Sequence, residues 1–302
     1  MTKILMTGIT GFIGNELKQH LDGKIYGLVR WSHKKEKTEG FTPVFGDLRN
    51  YNDIVQVIKD IKPEVIINLG AITPVSLSFE RPFDYFDINT TGVINLVEAN
   101  RRFNPYLEKF IQASTPEVYG INELPLTPET PLYPNSPYAV SKAAADLYLL
   151  YAYRSYYFPV VLSRHANCYG RKDQTHFVIE SIVTQMADNK EEMCLGAPEP
   201  KRDFLYIDDV VDFYLKLLKN GKPGKIYTGG WNESYSIKEI VEYAKEITGF
   251  NGKIIWNTLP KRPGEIPEMR IDYSLAKKEL DWIPKVPIKM GLKKIYEQWY
   301  VW

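Results

Sequence analysis

Lys3-Ile4-Leu5-Met6-Thr7-Gly8-Ile9-Thr10-Gly11-Phe12-Ile13-Gly14 carries an apolar strand straight into a glycine turn and a helix start. Glycines there permit a tight turn, close backbone approach to a pyrophosphate and close helix–strand packing. The helix N-terminus beyond, at Phe12 and Ile13, offers unpaired N–H groups and the positive end of its dipole. The stretch therefore reads as a dinucleotide loop built on Gly8, Gly11 and Gly14. Its G-x-x-G-x-x-G spacing fits the G-x-G-x-x-G fingerprint loosely, and an ordinary strand–turn–helix with packing glycines has the same appearance.

Outward from this loop, strand and helix patterns alternate. Strands are predicted at Lys3–Thr7, Lys24–Val29, Thr42–Phe45, Val65–Leu69, Lys109–Ala113 and Val160–Ser163. Helices are predicted at Ile13–Leu21, Ile54–Ile61, Phe83–Arg102 and Pro137–Tyr157, bounded by Pro63, Pro82 and Pro159. This order predicts an α/β fold, a Rossmann-type doubly wound parallel sheet with helices on both faces. From Ala166 onward the pattern breaks into Gly-, Pro- and charge-rich loops, around Gly196–Arg202 and Pro260–Pro267.

The 302 residues allow one large or two modest domains. With 38 basic and 37 acidic side chains the chain is near neutral, which gives no reason to expect nucleic acid or an anionic membrane as partner. Apolar runs are strand-sized, too short to span a bilayer, and the first strand leaves no room for a signal peptide. Cys168 and Cys194 read as free thiols, and His20, His33, His165 and His176 show no metal-ligand spacing. A cytoplasmic protein with no structural metal is expected.

Far downstream stands Tyr138-Ala139-Val140-Ser141-Lys142. Residues four apart share a helix face, so the ammonium can favour the phenolate and make Tyr138 a base below its free pKa of about 10. Chance also produces such pairs. Together with the glycine loop, however, the chain resembles the extended short-chain dehydrogenase/reductases, the nucleotide-sugar epimerase and dehydratase branch, from Lys3 to about Trp299. Its motifs are most similar to those of the GDP-mannose 4,6-dehydratases. The resemblance implies a cofactor domain over 1–165 with return segments at about 204–230, including Val210–Leu218 and Lys225–Tyr227. It implies a substrate lobe over 166–302, at about 166–203 and 231–302.

Cofactor residues follow partly from chemistry and partly from the resemblance. An NAD site usually carries an acid about 20 residues past the glycines, but Gly27-Leu28-Val29-Arg30 ends in arginine. A guanidinium suits a 2′-phosphate, which favours NADP over NAD; a solvated face or stacking on adenine are the other readings of Arg30. The resemblance places Asp47 and Leu48 at the adenine, and Leu69, Ala71 and Thr73 near the nicotinamide half.

The reacting constellation is Ala113-Ser114-Thr115-Pro116-Glu117-Val118-Tyr119-Gly120 ahead of the Tyr138–Lys142 helix. The resemblance implies that Thr115 bonds the sugar 4-OH, Tyr138 takes its proton, and Lys142 holds the phenolate and a ribose. With C4 oxidised, a carboxylate at Glu117 can remove the C5 proton, leading to loss of the C6 hydroxyl. The dTDP-glucose dehydratases carry an additional acid where this chain has Pro116, whereas the GDP-mannose type manages with the lone Glu. Decarboxylases and 4-keto reductases also keep this Glu; plain 4-epimerases usually lack it, and a turn cap is its bland alternative. Ile72–Glu80 offers no cation for a substrate carboxylate and resembles the mannose-dehydratase run, which implies Ser76 as a sugar contact.

Arg164-His165-Ala166-Asn167-Cys168-Tyr169-Gly170-Arg171, Lys201-Arg202-Asp203-Phe204 and Lys261-Arg262-Pro263-Gly264-Glu265 resemble the family's substrate motifs. They imply Asn167, Arg202 and Arg262 on the diphosphate of a nucleotide sugar and Glu265 on a ribose. Tyr85–Arg102 and Leu147–Tyr157 match the helices that pair in family homodimers. A catalytically silent, NADP-sensing member is the non-enzyme alternative; intact Thr115, Tyr138 and Lys142 argue against it.

Overall fold

Alternate residues of the first strand enter different layers. Ile4 and Met6 join one buried apolar cluster and Leu5 the other, and the same split separates Ile67 from Ile66 and Ile111 from Phe110. A continuous apolar strand does this when both faces of its sheet are covered by helices.

The structure, a computed structural model, describes residues 1–33, 38–171, 177–188, 191–259 and 263–300. Its first half contains β1 (Lys3–Thr7), α1 (Phe12–Leu17), β2 (Lys24–Val29), β3 (Thr42–Phe45), α2 (Tyr51–Ile61), β4 (Val65–Asn68), α3 (Val75–Ser78), α4 (Pro82–Phe86), α5 (Gly92–Phe103), β5 (Lys109–Ala113), α6 (Pro137–Tyr156) and β6 (Val160–His165). The second half adds β7 (Asn167–Tyr169), α7 (Val178–Ala187), β8 (Glu192–Cys194), β9 (Lys201–Arg202), β10 (Phe204–Tyr206), α8 (Ile207–Asn220) and β11 (Ile226–Gly229). It ends with β12 (Tyr235–Ser236), α9 (Ile237–Thr248), β13 (Lys253–Ile255), α10 (Ser274–Leu280) and α11 (Ile288–Tyr300).

Seven parallel strands form the main sheet in the order β11-β6-β5-β4-β1-β2-β3. The chain turns outward from β1 to β3, then returns to lay β4 on the other side of β1, so the strand order reverses between β1 and β4. Such a reversal opens a crevice at the strands' carboxyl ends, where open α/β sheets bind ligands. β11 joins this sheet beside β6, but β10 pairs with β7 in a separate two-stranded sheet. β8 pairs with β13, β9 with β12, and α7, α9 and α11 pack on one another.

The helices start and stop for local reasons. Asn50 caps α2 by accepting the Asn52 and Asp53 N–H groups, and Ile54, Val57, Ile58 and Ile61 face the core. Ser236 and Glu239 form a reciprocal capping box at α9. The predicted helix over Phe83–Arg102 is interrupted by a π-turn at Asp87–Thr91. There Asn89 turns inward, its side chain accepting Ile72 N–H at 3.0 Å and donating to Ser141 Oγ at 3.1 Å. Gly92 at its C-terminal end is the one breaker residue beside it, and a single glycine does not announce a π-turn in the sequence. Among the described residues no helix is long and apolar enough to cross a membrane.

Candidate active site

The glycine loop sits at the reversal of strand order. Gly8 has φ of +63°, and a Cβ there would lie 2.8 Å from Gly70 N, at the end of β4. A Cβ on Gly14 would approach Gly8 O to 2.3 Å, so neither position accepts a side chain. Gly11 caps α1 with its own N–H on Gly8 O at 3.0 Å, and no side chain caps the helix. The first-turn N–H groups at Phe12 and Ile13 thus remain for an anion, and the loop fits a pyrophosphate. Below it, Gly70 N–H donates to Thr7 Oγ1 at 2.8 Å, Thr7 Oγ1 donates to Asn68, and Asn68 Nδ2 donates to Gln112 at 2.7 Å. This chain ties the ends of β1, β4 and β5. Leu69 and Ala71 follow at the rim, half-buried, while Thr73 and Ser76 are exposed beyond them.

On the adenosine side, Arg30 is exposed just past β2. Asp47 binds Arg49 through both carboxylate oxygens, with the closest contact at 2.6 Å. The Arg49 guanidinium holds the Asp47 carboxyl below its usual range, against the opposing effect of burial. Leu48 packs against Gly70 and Gly92, where added Cβ atoms would come within 2.9 Å of its side chain. The Arg49 partnership was not read from the sequence, although the two residues are only two apart.

The reacting centre lies where β5 ends against the first turns of α6. Ser136 caps α6 by accepting Ala139 N–H at 3.1 Å, and Pro137 follows at the first helical position. Thr115 Oγ1 accepts Glu117 N–H at 3.2 Å, and its hydroxyl stands beside Tyr138, where it favours the phenolate. Tyr138 and Thr115 are each 7% exposed. Lys142, 3% exposed, gives Nζ to Ala113 O at 2.8 Å. Burial pushes the Tyr138 phenol well above its ordinary range; Thr115 opposes this, while nearby Glu117 adds to it. Burial likewise pulls Lys142 down to about 8, partly offset by Asp146. The Tyr–Lys spacing predicts a lowered phenol, but in this structure desolvation outweighs the helix-face pairing.

Glu117, half-buried, lines a small cleft with Val75, Asn135, Ser136, Arg202 and Glu265. Arg202 donates to Ile266 O at 2.8 Å and Lys201 O at 2.9 Å, and pairs with Glu265. The two residues read separately as diphosphate and ribose ligands therefore meet each other here. Asn167 lies on β7, paired with Phe204 of β10. Arg262 lies outside the described residues. Asp203, in the same motif as Arg202, is structural: its carboxylate accepts N–H groups of Trp231, Asn232 and Ile271 at 3.0–3.1 Å. Sequence reading also missed Asn89, and the buried Ser114, Asp146 and Arg164 behind Lys142. Asp146 could have been noticed, since it continues the four-residue spacing of Tyr138 and Lys142. Among the described residues no group of three or more His, Cys, Asp or Glu side chains could hold a metal ion.

Comparison with known proteins identifies the family. A model of the GDP-mannose 4,6 dehydratase family matches residues 5–295. Human dTDP-D-glucose 4,6-dehydratase is 32% identical over 318 residues, spanning 99% of this chain and 89% of that protein. A UDP-glucose 4-epimerase from Thermotoga maritima, solved with UDP-glucose, superposes with a TM-score of 0.89 at 26% identity, covering 99% of this chain and 98% of that one. A dTDP-glucose 4,6-dehydratase from Bacillus anthracis, solved with NAD, gives 0.85 at 28% identity, covering 99% and 96%. On the family match across nearly its whole length, the chain belongs to the GDP-mannose 4,6 dehydratase family, among the nucleotide-sugar dehydratases and epimerases of the extended short-chain dehydrogenase/reductases.

Proposed function

We propose that the chain is a nucleotide-sugar 4,6-dehydratase that holds NADP and converts a hexose to its 4-keto-6-deoxy form. The observation that carries this reading is Glu117, half-buried in one cleft with Arg202 and Glu265 and close enough to Tyr138 to act on its phenol. Residues 1–165 with 204–230 then serve as the cofactor domain and the remainder as the substrate lobe. Gly8, Gly11, Gly14 and the first turn of α1 would cradle the pyrophosphate, with Leu48, Leu69 and Ala71 along the crevice. Exposed Arg30, just past β2, would meet a 2′-phosphate.

Bound there, a nicotinamide supplies reversible storage of a hydride from the sugar. Tyr138 Oη, bonded to Thr115, takes the 4-hydroxyl proton, and Lys142 supplies the counter-charge to the phenolate. Glu117 takes the C5 proton, made acidic by the neighbouring ketone, and returns a proton to the departing C6 hydroxyl. Pro116 has no proton to offer, so Glu117 performs both transfers. Arg202 grips the diphosphate. Exposed Phe83, Phe86, Leu147 and Tyr151, on α4 and α6, support a homodimer through this face, which sedimentation equilibrium would test.

Mass spectrometry after incubation with a panel of nucleotide sugars, without added cofactor, tests the reaction. The expected result is loss of one water from a single substrate, abolished in Glu117→Gln. A new isomer of unchanged mass would instead establish a 4-epimerase, the second reading, which Pro116 in place of a second acid favours. The nucleotide released on denaturing the purified protein distinguishes NADP from NAD.

A further inference from the structure

Tyr138, Lys142 and Asp146 stand one above the other on α6, and each meets one residue of the strand end opposite. Tyr138 stands beside Thr115, Lys142 Nζ donates to Ala113 O at 2.8 Å, and Ser114 Oγ donates to Asp146 Oδ2 at 2.6 Å. From the far side, Arg164 on β6 closes on the same carboxylate oxygen through Nε at 3.0 Å and Nη2 at 2.8 Å. Asp146 is 0% exposed and Arg164 1%. A hydroxyl or amide could hold Ser114 equally well, so the pattern of contacts does not explain the charges. Buried charges are tolerated only where they are paired and balanced. Lys142, Asp146 and Arg164 together leave one positive charge over, buried behind the cleft that half-buried Glu117 lines.

We propose that Asp146 and Arg164 are positioning residues for the Tyr138–Lys142 dyad: they lock the strand end that carries Thr115, and their opposite charges cancel, so that the Lys142 ammonium alone is left to balance the phenolate. The inference rests on Tyr138 being the base. Removing Asp146's charge alone leaves two buried cations, which makes the first proton easier to remove from the Tyr138–Lys142 pair, whichever member gives it up. Removing the charges of both Asp146 and Arg164 restores the original sum. The other titratable groups around the dyad are Tyr85 on α4, Glu117 and Tyr119 in the turn after β5, His165 on β6 and Tyr214 on α8. None of them is altered in this comparison.

The test is the titration of Lys142 by 13Cε-lysine NMR on the whole protein, with its resonance assigned by its loss in Lys142→Arg. In Asp146→Asn the midpoint should fall by about one pH unit. In Asp146→Asn/Arg164→Met it should return to the wild-type value although every contact of the pair is gone. An unmoved midpoint in the single variant, or a double variant displaced like the single, overturns the proposal. If circular dichroism shows the single variant unfolded, the double variant carries the test, and a lowered midpoint in it overturns the proposal. With turnover established, both limbs of the kcat/KM pH profile should shift downward in the single variant and recover in the double. Limbs that stay in place while kcat falls would mark a purely structural pair. An active Tyr138→Phe would remove the base reading separately, leaving the Lys142 titration to judge the charge balance alone.

Discussion

Two arginine–carboxylate pairs flank the reacting centre, and they differ in what surrounds them. Side chains of Arg164 and Asp146 are 2% and 0% exposed, held between α6, β6 and the end of β5. Side chains of Arg202 and Glu265 are 7% and 29% exposed, and Glu265 lies on a loop lining the cleft. The inner pair has no competitor for its bonds. The outer pair lines the cleft of the proposed substrate site, and on that proposal a phosphate oxygen would take the place of Glu265 Oε1 on the guanidinium. Arg202 would keep its bonds to Lys201 O and Ile266 O through such an exchange. On that proposal one pair is scaffold and the other is exchangeable.

The largest expected effect comes from breaking the inner pair on one side. Arg164→Met strands a buried carboxylate and should cost about 3–5 kcal/mol in denaturant unfolding. A loss under about 1 kcal/mol would mean that the pair is not desolvated, and the distinction between the two pairs would collapse. Next is Arg202→Met, expected to raise KM by roughly tenfold to a hundredfold, the worth of a charge-assisted hydrogen bond, with a smaller change in kcat. Equal losses in kcat and kcat/KM would place Arg202 in the chemistry instead. Glu265→Gln sharpens the contrast from the other side, since it should lower stability by no more than about 1 kcal/mol.

The last expected effect is a pH dependence. Lys142 in the folded chain is pulled down to about 8 from an ordinary 10.5, so between those values the unfolded chain binds the extra proton. Stability contributed at this site therefore rises with pH from about 8 toward 10.5 and is lowest below 8. Urea midpoints of wild type and Lys142→Met, compared across that window, should move in favour of wild type as pH increases. A constant difference would show that the ammonium is not desolvated.

The contrast between the pairs also explains what could be read from the chain. The N-terminal glycine turn and the Tyr138–Lys142 pair are local patterns, fixed by a turn or by one helical step, and the turn and the helix that carry them lie where the sequence predicts. Val160–Ser163 was a strand because its apolar run is short and β-branched; the strand continues to His165 because Arg164 is buried against Asp146 rather than solvated. The Arg202–Glu265 pair joins residues separated by 63 positions through strands of two or three residues, and no periodicity announces such pairing. Asp203 looked like part of a ligand motif because composition cannot separate a carboxylate that holds backbone N–H groups from one that holds a substrate.

The π-turn at Asp87–Thr91 has a bearing on how this helix can change. One surplus residue per turn advances the following helix by about 100°. The stripe of α5 that packs on α2 is therefore turned by that angle from where a regular continuation of α4 would put it. Deleting any one residue between Asp87 and Thr91 would restore a regular helix, swing one half a quarter-turn or more around the axis, and carry Asn89 away from Ile72 and Ser141. No substitution can undo that rotation, so the surplus residue acts as a ratchet: easily kept, and abandoned only if both halves are re-patterned at once.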